Sequence, residues 1–291
     1  VAIALAAAIA ALPACTPPEP PEPRESVQQL PITVEVNQSR DQYGKQAIQL
    51  LLTNVSGSSL TVAGAQLASP LFQGDMLGEP AGGSLELPPN QPKSLPVRLP
   101  SPVCQGQTAG QQPTARVRYS EPGQAGLRET EPVAADPFRV LERNNAELCL
   151  ASDAAAVADI LLDPRLEAAA DGSTAVVRLV ITPKGTSTAS NDAAGRPLTI
   201  GSIDGTTLIA EPAEEPWPRD VRIVQGAGRS ELRLRIRPAR CDPHAIAEDK
   251  VGTLLPLHVS VGGRTGLLKI PAGTTLRAQI YDFVAAACAR G

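Results

Sequence analysis

Apolar and polar residues alternate along much of this chain. The clearest run is ELRLRIR at 231–237, where Leu232, Leu234 and Ile236 share one side and Arg233, Arg235 and Arg237 the other. Successive side chains of a strand point to opposite faces, so a period of two predicts a half-buried strand. The same pattern predicts strands at 32–36, 47–54, 60–62, 94–99 and 115–119. It recurs at 160–163, 175–182, 198–200, 221–224, 254–260 and 266–270. Gly, Pro, Asn and Ser separate these runs, as at 54–59 and Gly262-Gly263, which is turn chemistry. Many short strands divided by turns predict an all-β chain built of antiparallel sandwiches.

The pattern is written twice. LPVRLPSPVC at 95–104 matches LRLRIRPARC at 232–241, each with an apolar residue five positions before its cysteine. Upstream, the stretch from Gln49 resembles that from Val177, and PITVEV at 31–36 answers ADILLD at 158–163. Two sibling domains are therefore expected, at 27–152 and 153–291, each of ordinary domain size. About seven strands per ~120 residues resembles an immunoglobulin-like sandwich. The likeness is architectural, because the Cys…Trp…Cys core of that family is missing.

Each copy is expected to end in a short helix. In the first, Asp136-Pro137 suits an N-cap and first helical position, and Phe138, Leu141 and Leu148 follow at helical spacing beside Cys149. In the second, Leu276, Ile280, Phe283, Val284 and Ala287 form a stripe that ends at Cys288. The chain has five cysteines, Cys15, Cys104, Cys149, Cys241 and Cys288. None lies in a C-x-x-C pair, so zinc-ribbon and thioredoxin chemistry has no support. Four cysteines allow three pairings. The repeat favours Cys104–Cys149 and Cys241–Cys288, each stapling a helix to the loop leaving a strand; a cross-domain pairing is the alternative.

The N-terminal stretch changes the picture. VAIALAAAIAAL at 1–12 carries no charge. As a helix it would be ~18 Å long, too short to span a membrane, but it has the length of a secretory h-region. The usual positively charged n-region does not precede it. LPAC at 12–15 resembles a bacterial lipobox. That resemblance implies removal of 1–14 and a diacylated Cys15 at the mature N-terminus; the competing reading is an unmodified cysteine in an ordinary signal peptide. Stable anchoring takes more than one acyl chain, which a processed lipoprotein has. The Pro/Glu run TPPEPPEPRES then reads as an extended tether, 15–26 including Cys15, that stays solvated and builds no core. Lipidating Cys15 leaves an even number of cysteines, as an oxidising compartment requires.

Chemistry is sparse. Net charge is −4 with two histidines, so nucleic acid is not an expected partner. In CDPHAIAEDK at 241–250, Asp242 can cap a helical turn opened by Pro243, and His244 and Glu248 then share one face. Asp242, His244 and Glu248 are the candidate metal ligands, in a place where the first copy has GQTAGQQPT. The plainer reading, favoured because a third strong ligand is missing, is a turn with a solvated charge pair. His258 is expected to point outward on a strand, and Trp217 to pack on its own sheet. Arg233, Arg235 and Arg237 are candidate anion contacts, or an ordinary solvent face. No G-x-S-x-G and no glycine-rich phosphate loop is present. Asn37-Gln38-Ser39 and Asn54-Val55-Ser56 fit the glycosylation pattern but matter only in a eukaryotic secretory pathway.

The lipobox, the duplicated strand–Cys–helix–Cys layout and RCDPHAIAEDK together resemble the two-domain lipoproteins of actinobacterial cell envelopes. That family implies an envelope location and no particular activity. The expectation is a non-enzymatic binding or scaffolding protein on the extracytoplasmic face of the plasma membrane. It is attached to the membrane through its N-terminal lipid, needs no cofactor, and has an envelope protein or glycan as partner. A metal-dependent hydrolase around His244 is the alternative.

Overall fold

A computed structural model describes residues 30–105, 111–185 and 197–290. The segments read as signal, lipobox and tether, with Cys15, lie outside the described residues.

The alternating runs form strands that pack as two immunoglobulin-like sandwiches. In the first, one sheet has the order Lys93–Arg98, Ala47–Asn54, Ile32–Asn37, Ala134–Ala135, antiparallel except for the last, parallel pair. Facing it are Met76–Gly78, Leu60–Ala68, Thr114–Ser120 and Arg128–Thr130, with Leu85–Leu87 paired to the far end of Leu60–Ala68. In the second, Ala158–Leu162, Ala175–Pro183, Ser230–Pro238 and Ile209–Ala210 form one sheet. Val221–Ile223, Leu198–Ile203, Leu254–Val261 and Arg264–Pro271 form the other. The long strands recur in chain order, which is the duplication read from the sequence expressed as topology.

Period-two patterning sets the registers. Ile48, Leu50 and Leu52 are fully buried, and pairing Val34 with Leu52 and Val36 with Leu50 keeps all of them on one face. A slip of one residue would turn every such side chain to solvent. With 2% aromatic residues, both cores rely on Leu, Ile, Val and Ala.

The first helix departs from expectation, whereas the other two stand where the spacing placed them. The first, α1, runs Val140–Val157 and does not close the first copy as a short cap. Val140 and Leu141 are buried in the first core, whereas Leu150, Ala154 and Val157 are buried in the second. The strand Ala158–Leu162 follows without a linker, so the expected division at 152/153 falls inside this helix. Its start is also displaced. Arg139 sits left-handed at φ 49°, while the Asp136 carboxylate reaches past it to accept N–H bonds from Val140 at 2.7 Å and Leu141 at 2.9 Å. Asp136 therefore caps the helix from outside it, and Phe138 lies in the preceding turn, 62% exposed, instead of joining the apolar stripe. The second helix, α2, is the short Pro243–Ala247. The third, α3, spans Thr274–Cys288 and buries Leu276, Ile280, Phe283 and Val284. Among the described residues no helix is long and apolar enough to cross a membrane.

Candidate functional site

The two disulfides join Cys104 to Cys149 and Cys241 to Cys288. The first ties the middle of α1 to the loop after Lys93–Arg98. Beside it the Asn145 amide donates to the carbonyl oxygens of Leu71 (2.6 Å) and Val103 (3.2 Å), so that loop and helix are pinned twice. The second ties the end of α3 to the loop after Ser230–Pro238.

The stretch 241–250 is a capped helical turn, mostly exposed. Asp242 accepts the N–H of His244 at 3.0 Å and so spends its carboxylate capping α2. His244 and Glu248 lie exposed on this turn, and among the described residues no group of three His, Cys, Asp or Glu could hold a metal ion. The carboxylate that organises the stretch is Asp249. It accepts the Gly252 N–H at 2.8 Å, the Tyr281 hydroxyl of α3 at 2.8 Å, and the Thr207 hydroxyl. Burial, and next the neighbouring carboxylate, raise the Tyr281 pKa above its ordinary value. Ile246 packs on the second core below. Asp249 lies close to His244 and Glu248 in the sequence, but its partners Thr207 and Tyr281 lie far from it in the chain, so no local pattern marks its structural role.

The arginine row is largely occupied. Arg233 donates to Glu167 at 2.9 Å, and Arg235 is bonded to Glu215. Beside them on the same sheet, Arg178 pairs with Asp163 at 3.2 Å and Glu167 at 2.9 Å. The Arg165 backbone N–H and then Arg178 hold the Asp163 pKa below the usual range. Arg237 is exposed, its guanidinium donating to the Pro238 carbonyl at 3.3 Å. His258 is half-exposed, its Nε2 2.7 Å from an Asp204 oxygen. Trp217 is buried, its indole N–H donating to the Arg235 carbonyl at 2.6 Å. Asn54 of the second glycosylation motif is fully buried and donates to Ser58 and Leu87 carbonyls, so it is a core hydrogen-bonding group.

A cleft lies where the domains meet. The turn before Ala47–Asn54, α1 and the Leu254–Val261/Arg264–Pro271 hairpin enclose a cleft of about 220 Å³. Leu148, Ala151, Leu254 and Leu267 form apolar walls. On its polar side Lys269 donates to both oxygens of Glu147, at 2.7 and 2.8 Å. Two cations lie over the Tyr43 ring, Lys269 Nζ at 5.3 Å and the Arg143 guanidinium at 5.6 Å from its centre, in cation–π range. Arg264, at the tip of the hairpin, donates to Asp153 on α1 at 2.9 Å and to the Cys104 carbonyl at 2.5 Å. Pockets for drug-sized ligands run to about 300–1,000 Å³. This cleft suits a protruding side chain or a small polar group. No sequence motif marked it, because its walls come from stretches far apart in the chain.

No protein-family model and no curated protein matches the chain. Among solved structures it is similar to the YadV chaperone, at 11% identity over 82% of this chain and 98% of that one, with a TM-score of 0.25. It is also similar to a CsuC–CsuE chaperone–tip adhesion subunit complex of Acinetobacter baumannii, at 10% identity over 82% and 98%, TM-score 0.19. A third is the BSP domain of a biofilm associated protein, at 9% identity over 85% of this chain and 61% of that one, TM-score 0.20.

Proposed function

We propose that this protein is a lipid-anchored binding or scaffolding protein on the extracytoplasmic face of a bacterial plasma membrane, working without catalysis. One observation carries the reading. LPAC at 12–15 stands between an apolar run and a Pro/Glu tether, and the four downstream cysteines pair among themselves, leaving Cys15 outside any intrachain bridge. Disulfides form and persist in oxidising compartments, which supports export. A cysteine left over at such a junction is the atom a lipid would take.

The rest of the chain supports a display role. The conspicuous polar residues are engaged in structure: Asp242 caps, Asp249 ties α3 down, and Arg233 and Arg235 hold carboxylates. The junctional cleft is where an envelope protein or glycan would be contacted. A hydrolase built on Asp242, His244 and Glu248 has no observation among the described residues in its favour. Membrane fractionation tests the reading. The wild-type chain, expressed in an actinobacterial host, should partition with membranes and be labelled by palmitate, and Cys15→Ser should be released and unlabelled. Equal label and equal partitioning of the two would overturn it.

A further inference from the structure

We infer that the free edge of the strand Ser230–Pro238 is a self-pairing surface, through which a second copy of this chain adds to the second domain's sheet. The inference follows from which way the backbone groups point. In an antiparallel sheet successive residues direct their N–H and C=O alternately to one neighbour and the other. The Asp163 N–H bonds the Arg178 carbonyl at 2.9 Å, so even-numbered residues of Ala175–Pro183 serve the strand Ala158–Leu162. Odd-numbered ones serve Ser230–Pro238, through Leu232 and Leu234 opposite Leu179 and Val177. The backbone groups of Glu231, Arg233 and Arg235 therefore face away from the sheet. Farther along, that edge is occupied: Ala239 N–H bonds the Leu208 carbonyl at 2.9 Å, Ala210 pairs with Arg237, and the Trp217 indole takes the Arg235 carbonyl. At Glu231 and Arg233 no backbone partner lies alongside among the described residues, and both side chains are exposed, Glu231 accepting from Arg229 at 3.0 Å and Arg233 donating to Glu167 at 2.9 Å.

The first domain handles the matching position differently. There Leu99 N–H bonds the Gln46 carbonyl at 2.9 Å, which turns the backbone of Pro96 outward. Pro96 and Arg233 hold the same place relative to Cys104 and Cys241. Proline offers no N–H, which blunts an edge against strand addition. The second copy keeps the donor.

The charge pattern selects the occupant. Two copies of Glu231-Leu232-Arg233 run antiparallel with Leu232 on the twofold axis place each Glu231 opposite the other copy's Arg233. Both residues of each pair have outward backbone groups, so each pair can exchange both ladder bonds. The ladder ends at these two pairs, because the next would set Arg229 opposite Arg235, like charges on the stretch of edge that Trp217 already occupies. Registers that align Glu231 with Glu231, or Arg233 with Arg233, set like charges opposite each other, which is unfavourable. The half-buried Leu232 side chains would meet at the axis and cover each other.

Sedimentation equilibrium of the full chain in detergent tests this. Wild type should show a concentration-dependent monomer–dimer equilibrium. Arg233→Pro removes one donor from each copy and should weaken the dimer by roughly tenfold or more, with an unchanged circular dichroism spectrum. Glu231→Arg should weaken it similarly, and Glu231→Arg combined with Arg233→Glu, in a Glu167→Gln background that removes the carboxylate Arg233 otherwise holds, should restore it by exchanging the charges. If Arg233→Pro fails to fold, the charge-exchange series decides. A wild-type chain that stays monomeric at all concentrations, or a dimer indifferent to these substitutions, overturns the inference.

Discussion

Leu141 and Leu150 stand on the same helix, yet each is buried in a different hydrophobic core. The helix that closes the first sandwich is thus the first packed element of the second. Bending it at the junction would pull apolar surface out of one core or the other. The Lys269–Glu147 and Arg264–Asp153 pairs brace the same junction.

Leu150→Ala should therefore be felt in the second domain although the residue precedes it. Truncating a fully buried leucine costs about 2–5 kcal/mol. Trp217 is the one tryptophan of the chain and is buried in the second core, so its fluorescence reports there. In urea, the Trp217 transition of Leu150→Ala should move to lower denaturant, and that of Leu141→Ala should move less. Equal shifts would mean that the two cores unfold as one.

Removing the second bridge, by Cys241→Ser with Cys288→Ser, should lower stability by about 4 kcal/mol on loop entropy alone. The bridge closes a loop with sequence separation 47 and holds α3 to the end of Ser230–Pro238. Thermal unfolding followed by circular dichroism would show the loss, and an unchanged midpoint would mean that the Asp249–Tyr281 contact holds α3 without it.

The Tyr281 contact has an alkaline signature. Burial raises its pKa in the folded state above the ordinary value near ~10. The folded chain then keeps a proton that the unfolded chain has lost. This stabilisation is complete below about pH 10 and disappears as pH rises through the folded pKa. Tyr281→Phe should flatten the fall of melting temperature between about pH 9 and 11. A fall of the same steepness in the variant would contradict the assignment.

Asp163 works in the other direction. The Arg165 N–H and then Arg178 hold its pKa down, and Ser173 does the same for Asp171. Here the unfolded chain binds the proton first. The stabilisation is present above the ordinary aspartate value of about 3.9 and is lost as pH falls through the lower, folded value. Asp163→Asn should make melting temperature less steep in pH below about 4, and an identical acid limb would contradict this.

The sandwich was legible in the sequence wherever side chains alternate over a full strand. The prediction 47–54 coincides with Ala47–Asn54, and ELRLRIR lies within Ser230–Pro238. Short pieces such as Met76–Gly78 and Ile209–Ala210 escaped, because two or three residues carry no period. The cysteine pairs were legible because the repeat supplied a second example of the same spacing. The shared helix was not. Nothing local distinguishes the side of α1 that fits the core before it from the side that fits the core after it, since helical spacing gives a face but not its neighbour. The junctional cleft was hidden for the same reason: Tyr43, Glu147 and Lys269 meet only through the packing of two domains.

The mass of the N-terminal peptide tests the proposed attachment at Cys15 most directly. Protein purified from its own cell envelope and digested should yield a first peptide that begins at Cys15, lacks residues 1–14, and carries diacylglycerol mass on the cysteine. A first peptide that retains residues before Cys15, or one with an unmodified Cys15 thiol, would contradict it.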